Sequence, residues 1–216
     1  MEGSSSPEQP QTRSVKIGED ERTGWSSERP RRDGSPARPP NVSVRCHVLS
    51  PSDQLRYSPG SMLLIVSASA SDRERFAERL LDSRTLLSLD KVRTLLAGRI
   101  SEEDMEARAQ EVLDTALLKR LQASQTVAIV ADGLDAGERE RYVRMAHTAK
   151  RPRHLILLEA AREEVDEGDL ATLNDLRRRL DAGELGEEGF QTAVRIGGSS
   201  VFELKRIVFQ RPPRDE

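Results

Sequence analysis

Apolar runs of strand length alternate with segments of helical period along most of the chain, and this alternation restricts the fold more than anything else in the sequence. Met62 to Val66, Thr126 to Asp132 ("TVAIVAD") and His154 to Glu159 ("HLILLE") are runs too short to be helices; their continuous apolar character predicts strands covered on both faces. "TLLSLD" (Thr85–Asp90) and "TAVRI" (Thr192–Ile196) predict two shorter strands, and "VSVRCHV" (residues 42–48) alternates as a half-buried strand does. Helical spacing follows over Ser71–Leu81, Lys91–Leu96, Glu102–Leu121, Gly137–Ala149, Leu170–Leu180 and Ser200–Ile207. Strands that alternate with helices imply an α/β fold of three layers, a mostly parallel sheet with helices on both faces. Ligands in such sheets bind beyond the carboxyl ends of the strands. Three polar features fall there: the turn after Val66, Asp90 and Asp132.

The first 40 residues differ from the rest. They hold six of the eleven prolines and almost no large apolar side chain, a composition that cannot bury enough surface to offset chain entropy. A disordered Pro/Ser/Arg-rich tail is expected over 1–40, a single domain over 41–211 and a short tail over 212–216. Seven Lys/Arg and seven Asp/Glu cancel within the first tail, so it is not a basic arm, although Trp25 gives it one anchor for a protein partner. The net charge of −3 gives no sign of a nucleic-acid surface by bulk electrostatics. One cysteine, Cys46, excludes an internal disulfide and suits a reducing cytoplasm. The N-terminus has no apolar signal core and no apolar run approaches 18 residues, so neither a secretory signal nor a membrane span is expected.

The stretch "LLIVSASASDRERFAERL" (Leu63–Leu80) has the outline of a strand, a small-residue turn and a helix. A phosphate loop reads G-x-x-x-x-G-K-[ST]; the same eight places here read Ser67, Ala68, Ser69, Ala70, Ser71, Asp72, Arg73 and Glu74. Ser67 and Asp72 replace the two glycines, Arg73 the lysine and Glu74 the magnesium-binding hydroxyl. Asp72 and Glu74 equally suit the first turn of a helix, where acidic residues are favoured. One carboxylate about 5 Å from a phosphate charge costs roughly 3 kcal/mol at an effective dielectric near 20, so two would offset most of what Arg73 returns.

The order of several segments resembles the P-loop polynucleotide-kinase-like family, which includes zeta-toxin-like kinases. "LLSLDKVRTLLAG" resembles the D-x-x-R segment that follows that family's phosphate loop. "VAIVADGLDAGERERYVRMAHTAKRPRHLILLE" resembles the family's strand, helix and strand around a strand-ending Asp, and "RRRLDAGELGEEGF" its later Arg-bearing region. The resemblance covers about Met62 to Phe190. It implies a kinase fold using ATP and Mg²⁺ if active, with Asp90 as general base toward a substrate hydroxyl, Arg93 on the acceptor phosphate and Asp132 near metal and phosphates. It implies that Ser67, Ser69, Ser71, Asp72, Arg73 and Glu74 form the loop, and that Arg177 and Arg179 lie where a lid would close over nucleotide. The implied ligands are a phosphorylated small molecule or a nucleic-acid end. The departures in the loop lead to a pseudokinase-like binding protein as the expectation, with an active phosphotransferase as the alternative. Asp90 and Arg93 also read as a local ion pair, Asp132 as a turn cap, and the arginine run as a solvated helix face.

Overall fold

A computed structural model describes residues 54–198 and 200–210. The expected strand at 42–48 and both expected tails lie outside the described residues. Five strands form a parallel sheet: β2 (Met62–Val66), β3 (Leu86–Ser88), β4 (Val127–Val130), β5 (Arg153–Leu158) and β6 (Thr192–Ile196), in the order β3-β4-β2-β5-β6. β2 is central, with Leu64 opposite Ile129 of β4 and Leu155 of β5. The helices are α1 (Ala70–Leu80), α2 (Leu89–Leu96), α3 (Glu102–Gln122), α4 (Ala136–Thr148), α5 (Glu167–Ala182) and α6 (Ser200–Glu203).

All five residues of β2 and all four of β4 are buried, because both faces of the sheet are covered. On one face Leu63, Ile65, Ala128, Val130, Ile156 and Leu158 pack against Phe76, Ala77 and Leu80 of α1. On the other, Met62, Leu64, Ile129, Leu155 and Leu157 meet stripes from three helices: Leu113, Leu117 and Leu121 of α3, Tyr142, Val143 and Ala146 of α4, and Leu173, Leu176 and Leu180 of α5. The stripes repeat at three and four residues, as a helix lying on a sheet requires. The α/β three-layer expectation is therefore met.

Two short strands, β1 (Leu55–Tyr57) and β7 (Ile207–Phe209), pair in parallel as a separate ribbon whose Tyr57 and Ile207 join the α1 face. Neither is legible in the sequence: β1 lies in a turn-rich stretch, and the expected helix over Ser200–Ile207 instead ends at Glu203. The expected strand Thr85–Asp90 is also shorter. It stops at Ser88, whose hydroxyl accepts from the Lys91 amide and starts α2, so Asp90 stands in the first helical turn.

The chain leaves β2 through α1 toward β3 on one side and leaves β5 through α5 toward β6 on the other, with α1 and α5 on opposite faces. Neighbouring strands whose connections diverge open a crevice at their carboxyl ends. The turns after β2 and β5 flank it, and the turn after β4 lies on the other side of β2.

Candidate functional site

The turn after β2 is short. α1 begins at Ala70, which leaves Ser67, Ala68 and Ser69 as the whole connection. Its polar groups close on one another. The Ser69 amide donates to Ser67 Oγ at 3.2 Å, and Ser69 Oγ caps α1 by accepting from the Asp72 amide at 3.3 Å. Ser71 Oγ lies 3.2 Å from Ser69 Oγ. A phosphate-holding nest needs successive amides turned to one point by left-handed backbone, and residues 67–74 have no positive φ. Ala70 to Glu74 are already helix. Asp72 pairs with Arg75 at 2.5 Å, and Glu74 lies beside Ser88 and Lys91.

Arg73 turns inward and is 4% exposed. Its guanidinium donates to the Ser67 carbonyl and, at 2.6 Å, to the Asp132 carbonyl, so it ties the β2–α1 turn to the end of β4. Its Nε has no partner. Burial lowers its pKa against the opposing pull of Asp132, Glu138, Asp90 and Glu74. The position that would present a cation to phosphate thus presents it to main-chain oxygens.

Asp90, Arg93 and Asp132 come together beside this plug. The Arg93 guanidinium contacts Asp90 at 2.6 Å, Glu106 of α3 at 2.8 Å and Asp132 at 3.1 Å. Its pKa is raised, chiefly by the bond to Asp132. The Asp132 amide donates to both oxygens of Glu138, at 3.0 and 3.2 Å, and burial raises the pKa of that carboxyl. Asp135 caps α4 through the Glu138 amide at 2.7 Å.

The arginines of α5 are held elsewhere. Arg177 pairs with Glu159, and Arg179 with Glu188. Glu188 also holds Arg139, 3% exposed, at 3.1 Å, and Arg139 donates to the Leu134 carbonyl at 2.7 Å. Neither Arg177 nor Arg179 pairs with a residue of the Arg73 or Arg93 clusters. Sequence reading missed Glu106, Glu138, Arg139 and Glu188. For Arg139 a signal existed, since it continues the buried stripe Tyr142, Val143, Ala146 backward by three residues. Nothing in the sequence singled out Glu106.

A cavity of about 550 Å³ opens between α3, α4, α5 and the β4–α4 turn. Glu106, Asp132, Asp135, Glu138 and Asp169 line it, with Arg141 as the lone cation on its wall. Among the described residues, no group of three or more acidic, His or Cys side chains is arranged to hold a metal ion. Residues 67–74 thus form no left-handed nest, and Glu74 stands at the place of the phosphate loop's hydroxyl residue.

No family model matches the chain, and no curated protein does. Among solved structures it is similar to a crystal structure of a "putative kinase" from Chloroflexus aurantiacus j-10-fl, with 14% identity and a TM-score of 0.39 over 65% of this chain and 86% of that one. A likeness at that score carries no family assignment. No described helix is long and apolar enough to cross a membrane.

Proposed function

We propose that this chain is a kinase-like α/β binding protein that does not use Mg·ATP, a pseudokinase-like module. One observation carries the reading. Arg73, at the position of the phosphate-loop lysine, is buried on the Ser67 and Asp132 carbonyls beside a three-residue turn whose Ser69 hydroxyl caps α1. Phosphoryl transfer relies on positioned cations and amides around the transferred group, and here the Arg73 guanidinium and the Ser69 and Asp72 amides are committed to the fold. The order of segments along the chain and the parallel sheet support the kinase-like part of the reading. The expected outcome is no change in melting temperature with millimolar Mg·ATP. A saturable upward shift would overturn it.

The gathering of Asp90, Arg93 and Asp132 at the strand ends favours a second reading, an ATP-dependent phosphotransferase acting on a hydroxyl acceptor such as a polynucleotide 5′ end. That reading requires transfer from ATP to a 5′-hydroxyl oligonucleotide, lost in Asp90→Asn while nucleotide binding is kept. Absence of transfer in the wild type sinks it.

A further inference from the structure

We propose that a second cavity, in the crevice flanked by the turns after β2 and β5, binds a compact aromatic carboxylate. The inference rests on the binding-protein reading and gives that protein a ligand class. It uses none of the Asp90, Arg93 and Asp132 cluster, which lies on the other side of β2. The cavity holds about 310 Å³ between α1, the end of β5 and α6, where neighbouring strands send their connections to opposite faces. Open parallel sheets take their ligands at such a point, and the volume fits one aromatic ring with a short acidic arm.

Phe76 of α1, Leu158 of β5 and Val201 and Phe202 of α6 supply its apolar lining. Phe202 is 81% exposed, more than any other large apolar side chain among the described residues. A lone apolar residue on a surface needs no explanation, but this ring stands on the lining of a cavity. The segment that carries it is held in place from two sides. Arg79 of α1 donates to the Val201 carbonyl and, at 3.3 Å, to the Leu204 carbonyl. Gly197 brings the turn after β6 so close to Glu159 that a Cβ there would lie 2.7 Å from the Glu159 Cβ. The wall is therefore formed before a ligand arrives.

Charge decides the sign of the ligand. Asp72 and Glu159 also line the cavity, but each carboxylate has its cation. Asp72 pairs with Arg75 at 2.5 Å, and Glu159 with Arg177 and, at 3.7 Å, with Arg195. Arg79 has no carboxylate partner among the described residues and bonds only to carbonyls. Its guanidinium is the uncompensated charge of the lining, and a carboxylate is the complement of its planar fork. The Phe202 ring and the exposed Arg75 guanidinium both stack on aromatic faces, which favours a ring over an aliphatic chain. An ammonium ligand would meet Arg75 and Arg79 and find both carboxylates taken. A polyphosphate would bring more charge than one free guanidinium offsets and would gain nothing from Phe76 and Leu158.

The test is a ligand-detected NMR titration of the full-length wild-type chain with 3-phenylpropionate. Three compounds run beside it: 3-phenylpropanamide as the uncharged isostere, acetate as the charge without the ring, and adenosine as an uncharged heteroaromatic. The expected result is saturable 3-phenylpropionate binding that weakens as salt rises, roughly fivefold tighter than the amide, with no saturation by acetate. Phe202→Ala should weaken it about fivefold and leave the melting temperature unchanged, because the ring is exposed. Arg79→Gln should weaken 3-phenylpropionate about tenfold while leaving the affinity for the amide unchanged, a difference that a merely loosened wall would not produce. No saturable binding, equal binding of the amide or of adenosine, or binding indifferent to both substitutions would overturn the inference. Each of these outcomes is separate from the nucleotide test: a Mg·ATP shift overturns the binding-protein reading, whereas silence toward both ATP and 3-phenylpropionate leaves that reading standing and removes only the aromatic carboxylate.

Discussion

Two buried arginines define how this edge of the sheet is held. Arg73 and Arg139 occupy the first turns of the helices that follow β2 and β4, each three residues before an apolar stripe begins, and each donates to a carbonyl of its own preceding turn. Arg73→Ala should cost about 3–5 kcal/mol in urea denaturation, since it opens a void and strands the buried Ser67 carbonyl and the partly buried Asp132 carbonyl. Arg73→Lys should cost less, roughly 1–2 kcal/mol, because a single ammonium cannot fork between two acceptors. A loss below about 1 kcal/mol in the alanine variant would mean that those bonds contribute little. Glu188→Ala leaves Arg139 buried and unpaired and should likewise cost about 3–5 kcal/mol, whereas replacing both residues by apolar ones of similar size should cost far less. The inward turn of Arg73 was within reach of sequence reading. Arg73, Phe76, Ala77 and Leu80 repeat at helical spacing, so the guanidinium belongs to the buried face. The motif alignment places it at the phosphate-facing lysine position instead, although Ser71–Glu74 already fall in the expected helix, which in the structure starts one residue earlier, at Ala70.

At the scale of elements, the strongest signals were those that packing reinforces on both sides. The runs at β2, β4 and β5 were legible because a strand covered on two faces has no polar alternation to confuse, and α3 because leucines four residues apart leave little choice of face. The ribbon of β1 and β7 was not legible. Three residues carry no period, and the pairing joins segments about 150 residues apart. Of the edge that forms the candidate site, Asp90, Arg93 and Asp132 could be set together from their places at strand ends, whereas Glu106 reaches them only through the packing of α3 on α2. The early start of α1 has its own test. Ser69→Ala should destabilise the protein by about 1 kcal/mol through loss of the cap on Asp72. A change in nucleotide affinity without that loss of stability would mean that the hydroxyl serves a ligand instead of the helix.

For the molecule as a whole, His154 gives a pH dependence. It stacks on Tyr57 of the ribbon with ring centroids 4.6 Å apart, shares a hydrogen bond with Thr192 Oγ1 at 2.8 Å, and is lowered by burial to about 4 from an ordinary 6.5. The unfolded chain therefore binds a proton more readily than the folded one between those values. Stability is full above about pH 6.5 and declines as pH falls toward 4, by roughly 3 kcal/mol at most at 1.36 kcal/mol per unit. Urea midpoints measured across that range should show the slope, and His154→Gln, which keeps a partner for Thr192 without titrating there, should flatten it. An unchanged slope in the variant would assign the dependence to other groups.

The pairing of β1 with β7 also determines how the molecule carries load. The strands are parallel, and they are the first and last strands of the described chain. Tension applied at Gln54 and Gln210 pulls them in opposite directions along their length, so the rungs between Leu55 and Ile207, Arg56 and Val208, and Tyr57 and Phe209 are sheared together instead of unzipped singly. Stretched between its two ends, the domain should resist until this ribbon ruptures as a unit, and a single force peak that drops after Val208→Pro, which removes a backbone donor from the ribbon, would be its signature.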